Sequence, residues 1–519
     1  MLIGYVSDEN YVALSDVAVE FQRNSDVVAT HSFASGAVHA EIAPGDYQVV
    51  LSKSGYGAKR VDVTVTEGKP IQFRLISDAL VGYMWPKYVR TGDVAEYRVH
   101  SPEQFRLDLY RYGWTKEFIR SYGWCDEHGP RAMTQIAPDG DFTQTGMHWN
   151  RVGYSLEFQR HGIVAPVRTG LYYLHAKTLS GKFFSFPWIV SPQEPGSDIA
   201  VLASNISWNA YNNFGGRSNY FSQDGLAAKP TVHARQDLWR YTNPDVWPFT
   251  ETAVPLSFER PEIPSHVPED SKITTPIAGR MNSAFAPGEW RLLGWMEREG
   301  FQYDLYSEVE LHFDRIRLED YQVLVLNTHP EYWSKQMYHR VKDWVFSGGG
   351  KLMYLAACGF YAEVEFADEH TVLCRREGDF SQRGEPQVNL LGVAYSHGGF
   401  QSAAPYRVIN DRHWVFQDTG LRQGELFGLR NLHERCPGGA SGHELDKISD
   451  DSPKNLIHLA KGTNPDESGA DMIIFDTPSG GQVFSVGSMC WTLSLPIDEG
   501  VSAVTANVLR RFTKCGSRE

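Results

Sequence analysis

The stretch QVLVLNTHPEYWSKQMYHRVKDWVF, residues 322–346, decides the fold class of this chain. It opens on a short apolar run, 322–326, of the kind that is buried on both faces of a parallel sheet. Residues 334–346 then carry apolar side chains at helical spacing, and the glycine triplet 348–350 ends this helix before a second apolar run at 351–355. A strand, a helix and a strand in this order predict a parallel α/β sheet.

The same alternation continues on both sides of this stretch. Apolar runs at 199–203 and 482–486 predict two further strands, and residues 288–299 predict a helix. The linker SPQEPGS, residues 191–197, is rich in proline, glycine and serine and marks where the α/β character begins. We therefore predict an α/β catalytic domain over residues 196–519.

The residues before the linker predict two β-domains. Residues 1–76 alternate apolar and polar side chains in short runs, separated by turn sequences such as APGD at 43–46. This pattern resembles the transthyretin-like, carboxypeptidase-regulatory-like sandwiches that are attached to many enzymes, which implies a role in structure or assembly. Residues 77–195 predict a second, immunoglobulin-like sandwich. The expected fold class is α+β and multidomain, with two N-terminal β-sandwiches followed by a parallel α/β domain.

Composition and charge exclude several classes of partner. The 519 residues carry a formal net charge of -14, which argues against nucleic acid or an anionic membrane as the main partner. No apolar run approaches the roughly 18 residues that span a bilayer, and the start, MLIGYVSD, does not resemble a secretory signal. Six scattered cysteines without a Cys-x-x-Cys pair predict reduced thiols rather than a disulfide frame or a zinc site. We therefore expect a soluble, cytoplasmic protein.

Three loops should carry the chemistry, because ligands of open α/β sheets bind at the carboxyl ends of the strands. These are residues 204–212, 328–333 and 356–361, each directly after a predicted strand. In the second loop, the proline between His329 and Glu331 biases the backbone toward extended geometry, so that both side chains are presented together. The alternative is an acid–histidine pair that caps the following helix.

Several strings of residues, in order along the chain, resemble the large (beta) subunit of N,N-dimethylformamidase and its relatives. They are WNAYN at 208–212, YDLYSE at 303–308, HPEYWS at 329–334, GGKLMYL at 349–355 with GFY at 359–361, and GGQVFSVGS at 480–488. The resemblance extends from about residue 199 to residue 515, and the immunoglobulin-like segment before it fits as well. It implies an amide hydrolase with a glutamine-amidotransferase-like catalytic domain.

The resemblance also implies a mononuclear iron, Fe³⁺, held by two tyrosinates and one glutamate. Glu331 matches the carboxylate and Tyr211 one phenolate, whereas Tyr241 is favoured for the second phenolate with Tyr220 in reserve. An alternative alignment offers Phe258 at that position, which cannot bind a metal. Phenolate and carboxylate oxygens are hard anionic donors that suit such a cation, and the bound ion would act as a Lewis acid.

The expected substrate is a small amide or formamide, whose C–N bond is hydrolysed. His329 is the expected proton shuttle, because an unperturbed imidazole titrates at about pH 6.5. Four further side chains are expected to contact the substrate: Trp208, Asn209, Tyr332 and Phe360. The β-domains and the resemblance imply a homo-oligomer. The formamidase has a separate small subunit, and the sequence leaves open whether this chain has such a partner.

Cys358 supports an alternative mechanism. It directly follows a predicted strand, where small neighbours permit the sharp turn on which glutamine-amidotransferase-like domains carry a nucleophilic cysteine. The formamidase family usually has asparagine at this point. Cys358 therefore fills that position as a small buried residue, alters substrate contacts, or acts as the nucleophile of an amidase with His329 or His370. A non-catalytic, ligand-binding member of the family is the remaining alternative.

Overall fold

A computed structural model describes residues 1–125, 137–149, 162–219, 225–232, 254–278, 284–377 and 385–514. The strands are β1 Leu2–Ser7, β2 Ala18–Arg23, β3 Asp26–His31, β4 Ala37–His39, β5 Gly45–Lys53, β6 Gly57–Val65, β7 Ile71–Arg74, β8 Val81–Trp85, β9 Tyr88–Arg90, β10 Val94–His100, β11 Phe105–Tyr112, β12 Lys116–Cys125, β13 Gly162–Val164, β14 Gly170–Thr178, β15 Phe183–Ser191, β16 Ile199–Ala203, β17 Leu256–Ser257, β18 Asp304–Ser307, β19 Val323–Thr328, β20 Tyr332–Trp333, β21 Lys351–Ala356, β22 Ala362–Asp368, β23 Thr371–Glu377, β24 Ala394–Ser396, β25 Ala403–Ala404, β26 Tyr406–Val408, β27 Leu426–Phe427, β28 Ser441–Gly442, β29 Leu445–Lys447, β30 Ile457–Gly462, β31 Asp471–Asp476 and β32 Gln482–Ser485. The α-helices are α1 Phe142–Thr145, α2 Asn205–Tyr211, α3 Ala286–Arg298, α4 Glu308–His312, α5 Lys335–Phe346, α6 Val388–Leu391, α7 Cys490–Ser494 and α8 Glu499–Lys514, and short 3-10 turns lie at Ile263–Ser265, Leu318–Asp320, Trp414–Phe416 and Pro465–Glu467.

Two sheets are built from residues 2–74. One has the strand order β4-β1-β7 and the other β3-β2-β5-β6. In β5 the side chains of Tyr47, Val49 and Leu51 are buried whereas those between them are not, which is the alternation expected for a sheet with one covered face. Buried apolar side chains between residues 3 and 75 form a core of their own.

Two further sheets are built from residues 81–191, with the orders β13-β10-β8 and β12-β11-β14-β15-β9. Their buried side chains continue into those of the large C-terminal sheet, in one core that reaches from Ile76 to Phe512. The mixed, β-rich, multidomain character of the chain is therefore confirmed. The transthyretin-like and immunoglobulin-like types, and the domain boundaries after residues 76 and 195, stay predictions.

A sheet of nine strands, in the order β18-β16-β19-β21-β32-β31-β30-β26-β27, forms the centre of the C-terminal part. The predicted strands near 199, 323, 351 and 482 lie side by side and parallel, joined at the edge by β18. The predicted helices are α3 and α5, and the Ser334 hydroxyl caps the start of α5 by accepting a hydrogen bond from the amide of Met337.

The predicted parallel sheet is present in one half of these nine strands, and the other half differs from the prediction. From β32 onward, strands β31, β30, β26 and β27 pair antiparallel. The physical reason is the length of the connections. Residues 477–481 join β31 to β32 and residues 463–470 join β30 to β31, and such short links allow a hairpin but not the helical crossover that parallel strands need.

The cysteines and the helices bear on the predicted cellular context. No disulfide joins the described cysteines, which are Cys125, Cys358, Cys374, Cys436 and Cys490. None of the helices in the described ranges combines the length and the apolar composition that crossing a bilayer requires. The cytoplasmic location stays a prediction.

Glu310, in helix α4, links the end of strand β15 to the large C-terminal sheet. Its carboxylate accepts hydrogen bonds from the Ser191 hydroxyl (2.5 Å) and the Ser307 amide (3.1 Å) and lies 3.4 Å from the Arg90 guanidinium. Burial raises the pKa of Glu310 to about 7, although these three partners act in the opposite direction. The carboxyl group is therefore more easily ionised in the unfolded chain than in the folded one.

The pKa of Glu310 predicts a pH-dependent stability. Because the folded-state pKa lies above the ordinary value of 4.5, this group stabilises the folded chain most below about pH 4.5, and that contribution is lost as the pH rises toward about 7. Relative to Glu310→Gln, the wild-type free energy of unfolding should fall by roughly 3 kcal/mol over this range. Urea unfolding at both pH values measures this difference. The control is Glu269→Gln, an exposed carboxylate paired with Lys177. Parallel pH profiles for wild type and Glu310→Gln would contradict the prediction.

Candidate active site

The three predicted loops lie together at one edge of the large sheet. Strands β16, β19 and β21 are direct neighbours and parallel, so their carboxyl ends open on the same side. Helix α2 follows the first strand, the HPEYW segment follows the second, and the segment around Cys358 follows the third. The convergence that the sequence analysis assumed is therefore present.

Tyr211, His329 and Glu331 make direct contact at this edge. The Tyr211 hydroxyl donates a very short hydrogen bond to Oε2 of Glu331 and lies 3.1 Å from Nε2 of His329. The same carboxylate oxygen is 2.8 Å from Nε2 of His329. Nδ1 of the ring donates toward the carbonyl oxygen of Ala357, at 3.3 Å, which orients the imidazole. The Tyr211 hydroxyl oxygen, Oε2 of Glu331 and Nε2 of His329 therefore all lie within 3.1 Å of one another.

The backbone at the strand ends is held in the left-handed conformation, which residues other than glycine rarely adopt. Thr328, Cys358 and Phe360 have φ values of 61°, 55° and 56°. Hydrogen bonds hold these turns: the amide of Phe360 donates to the carbonyl of Pro330, and the amide of Ala362 donates to the carbonyl of Glu331. Left-handed non-glycine residues of this kind cluster at functional sites, where the surrounding structure must impose them.

Glu444 is a site residue that the sequence analysis did not find. Its Oε2 lies 3.5 Å from Nε2 of His329, and its side chain is largely buried. Burial raises the pKa of Glu444 to about 7, and the Glu331 carboxylate adds to this, whereas the charge of His329 lowers it. No signal in the sequence pointed to Glu444, because it does not follow a parallel strand but lies between the two-residue strand β28 and the short strand β29.

Asp446 fixes the third loop, residues 356–361, through hydrogen bonds that its carboxylate accepts. One carboxylate oxygen accepts a hydrogen bond from the amide of Cys358 (2.8 Å) and the other from the Tyr354 hydroxyl (2.7 Å). The Tyr354 hydroxyl in turn accepts from the amide of Gly359 (2.7 Å). The turn that carries Cys358 is therefore fixed by a buried carboxylate two residues from Glu444, and the Cys358 side chain acts to lower the pKa of Glu444.

Burial and neighbouring carboxylates shift the pKa values of His329 and Tyr211. Burial lowers the pKa of His329, but Glu444 and Glu331 outweigh it and raise the pKa to about 9. Burial raises the pKa of Tyr211 well above its ordinary value, and the neighbouring Glu331 carboxylate raises it further. In this environment the phenol keeps its proton unless a stronger cation than imidazolium binds to its oxygen.

The donor set fits a hard metal cation. Tyr211 and Glu331 supply two adjacent oxygens, which are the ligand type that Fe³⁺ prefers. Glu331 and Glu444 bring two carboxylates to the same nitrogen of His329, and a metal ion would balance part of this negative charge. Tyr241 and Tyr220, the candidates for the second phenolate, lie outside the described residues. Phe258 is buried, and its amide donates to the carbonyl of His370.

The four predicted substrate contacts are all buried, but they are placed differently. The Tyr332 ring lies 6.0 Å from that of Tyr211, edge to face, beside the candidate site. The Phe360 ring packs against that of Trp333, with centroids 4.2 Å apart and the planes tilted by 39°. The Asn209 amide is engaged by the backbone of Leu256 and by Arg260, and Trp208 is buried in helix α2. Their roles as substrate contacts stay predictions, and Tyr332 is the one whose ring contacts Tyr211.

Arg260 holds the chain segment that follows Tyr211. Its buried guanidinium donates hydrogen bonds to the carbonyl oxygens of Ser257, Asn209, Asn212, Phe214 and Arg217 and to the side-chain oxygen of Asn209. Burial lowers the pKa of Arg260 to about 9, so the group remains a cation at neutral pH. A cation among the free carbonyls at the end of helix α2 stabilises that end and fixes the position of Tyr211.

Replacing Arg260 should destabilise the whole C-terminal part. Arg260→Met keeps much of the volume but leaves several buried carbonyls without a donor, each at a cost of about 1–3 kcal/mol, so we expect the free energy of unfolding to fall by at least about 3 kcal/mol. The free energy of unfolding of Arg260→Lys should lie between those of Arg260→Met and wild type, because an ammonium group cannot reach all of these carbonyls. Urea unfolding followed by tryptophan fluorescence measures the change. The exposed Arg106→Met is the control, and equal stability of Arg260→Met and wild type would refute the argument.

Comparison with known proteins assigns the chain to a family. The model of the C-terminal region of N,N-dimethylformamidase beta subunit-like proteins matches residues 106–504, which include every site residue described above. The chain belongs to this family. The match begins within strand β11 and therefore includes part of the second β-region as well as the large sheet.

Individual members of the family share limited sequence identity with this chain. The N,N-dimethylformamidase beta subunits of Alcaligenes sp and of Paracoccus aminophilus are each 27% identical over 286 residues, which is 44% of this chain and 37% of the relative. The chain thus matches well under half the length of these relatives. A beta-galactosidase structure from Rahnella sp. R3 is similar over 46% of this chain and 29% of its own, with 12% identity and a TM-score of 0.26, which is too weak to support an argument.

Proposed function

We propose that this chain is an amide hydrolase that cleaves the C–N bond of a small amide or formamide at an iron site held by Tyr211 and Glu331. The observation that carries the proposal is the contact of these two oxygen donors with His329 at the carboxyl edge of the parallel strands. Two relatives are named as beta subunits of N,N-dimethylformamidase, which supports a simple amide as the substrate class and an oligomeric assembly.

Iron bound at these oxygens would supply a Lewis acid that polarises the substrate carbonyl and lowers the pKa of a water molecule. Tyr211 and Glu331 are the described ligands, and Tyr241 remains the predicted third ligand. Glu331 is buried and Tyr211 is partly buried, so that bulk water has limited access to these oxygens and electrostatic interactions there are strong.

The proton transfers fall to His329 and Glu444. Nδ1 of His329 is anchored on the carbonyl of Ala357, so Nε2 is the atom that faces the site and can deliver a proton to the leaving amine nitrogen. Glu444 faces the same nitrogen from the other side, at 3.5 Å, and its carboxylate can take the proton that water loses on attack. The two transfers together turn an amide and water into a carboxylic acid and an amine.

The ligand role of Tyr211 and Glu331 is tested by isosteric variants. Tyr211→Phe and Glu331→Gln each remove one anionic oxygen donor, so we expect iron to be lost and kcat/KM on small amides to fall by at least about 100-fold. Elemental analysis of protein purified without chelators measures iron, and visible absorption reports a ferric–phenolate bond that Tyr211→Phe should weaken or abolish.

Two matched controls make the same chemical changes far from the site. They are Tyr110→Phe, in β11, and Glu269→Gln, which is exposed. Both should keep iron and colour. Full iron content in Tyr211→Phe and Glu331→Gln would refute the ligand assignment, even if amide hydrolysis were found.

Cys358 separates the metal mechanism from a cysteine-dependent one. It lies on a strained turn beside Glu444, a position where a nucleophile is plausible on geometry alone. Under our proposal, activity follows iron content when iron is removed and restored, and Cys358→Asn remains an iron-dependent hydrolase. A cysteine nucleophile predicts the opposite: iodoacetamide abolishes activity, chelation does not, and Cys358→Asn is inactive with unchanged iron. Iron-loaded protein without hydrolysis on a panel of amides would indicate a ligand-binding protein.

A further inference from the structure

The N-terminal β-region, residues 2–75, contacts the chain shortly after Tyr211. The buried Arg74 guanidinium donates a hydrogen bond to the carbonyl oxygen of Gly215 (2.9 Å). The amide of Gly215 in turn donates to the carbonyl oxygen of Glu9 (2.7 Å). Both backbone polar groups of Gly215 are therefore paired with the N-terminal β-region, one through a side chain and one through the backbone.

The two parts of the chain approach each other most closely at Gly216. Its φ is 89°, and a Cβ built on it would lie 2.2 Å from the Cβ of Tyr11, so that glycine alone fits here. The backbone of the N-terminal β-region also pairs with Thr231. The amide of Thr231 donates to the carbonyl of Tyr11 (3.1 Å), and the amide of Ala13 donates to the carbonyl of Thr231 (2.7 Å). Two stretches of the chain after helix α2 are therefore held by the same β-region.

The first of these stretches leads back to the candidate site. Residues 212–219, the wall segment, run from the end of helix α2 to Asn219. The amide of Asn219 donates to the carbonyl of Ala210 (2.8 Å), in helix α2, and its side-chain amide donates to the Tyr332 hydroxyl (2.9 Å). The Tyr332 ring contacts that of Tyr211. The wall segment therefore ends on the predicted substrate contact that lies beside the candidate metal ligand.

We propose that the N-terminal β-region positions the wall segment for substrate binding, with Arg74 as the positioning residue. Arg74 holds Gly215 in the middle of the wall segment, and Asn219 at its end holds Tyr332. A segment that is tethered in this way presents one conformation to a ligand, and a preformed site binds without the cost of ordering it. The inference rests on the proposed function, because it concerns how the amide substrate is recognised.

Arg74 and Arg260 act on different parts of this chain segment. Arg260 donates to the carbonyl oxygens of Asn209 and Asn212, on either side of Tyr211. Loss of the Arg74 side chain leaves these hydrogen bonds in place, so the iron ligand should keep its position while the wall segment loosens. The expected signature is therefore a higher KM with little change in kcat, which is the pattern of lost substrate binding rather than lost chemistry.

The first measurement is hydrogen exchange over residues 212–219 in the full-length chain. In Arg74→Met the Gly215 carbonyl loses its donor, so the wall segment should exchange at least about 10-fold faster than in wild type. Arg74→Lys keeps the cation and should lie between the two, which keeps the test informative if Arg74→Met does not fold. Two control variants in the same β-region should leave this exchange unchanged. They are Arg60→Met, which is exposed in β6, and Val49→Ala, in the apolar core.

The second measurement is KM and kcat on N,N-dimethylformamide. Arg74→Met and Asn219→Ala should each raise KM by about 10-fold, with kcat within about 2-fold of wild type. If Arg74 acts through Asn219, the double variant should show the KM of a single variant and not the roughly 100-fold product. Iron content and ferric colour should stay unchanged in all three variants. Val49→Ala, which lowers stability without touching Arg74, should leave KM unchanged.

Three results would overturn the inference. They are wall-segment exchange equal to wild type in the folded Arg74 variants, an unchanged KM when that exchange is faster, and effects of Arg74→Met and Asn219→Ala on KM that multiply. A folded, iron-loaded wild type without amidase activity counts against the proposed function. In that case the exchange data alone support or overturn the hold of Arg74 on the wall segment.

Discussion

The arrangement at the sheet edge depends on the concentration of negative charge around one buried imidazole. Glu331 and Glu444 both face Nε2 of His329, and the Tyr211 hydroxyl is pressed against the same Glu331 oxygen. Buried carboxylates are costly unless they are paired with cations or hydrogen-bond donors, and both of these carboxylates face the His329 ring. A fold tolerates such a cost where function requires it.

Buried charged side chains hold the segments that carry these groups. Arg260 donates to the carbonyls that follow helix α2, and Asp446 holds the turn of Cys358, so that two of the three strand exits are fixed by a buried charged side chain from elsewhere in the chain. The left-handed backbone at Cys358 persists because its amide is held by Asp446. Rigid supports of this kind keep reacting groups within the small tolerance that catalysis needs.

The sequence predicts the part of this site that obeys the rules of parallel α/β sheets. Residues 199–203, 322–326 and 351–355 are recognisable as buried strands, and the rule that ligands bind at their carboxyl ends leads directly to Tyr211, His329 and Glu331. Glu444 and Asp446 follow no such rule. Asp446 lies in the short strand β29 and Glu444 lies directly before it, outside the large sheet. Neither apolar periodicity nor a motif marks this segment, and only the tertiary structure brings the two carboxylates within reach of His329 and Cys358.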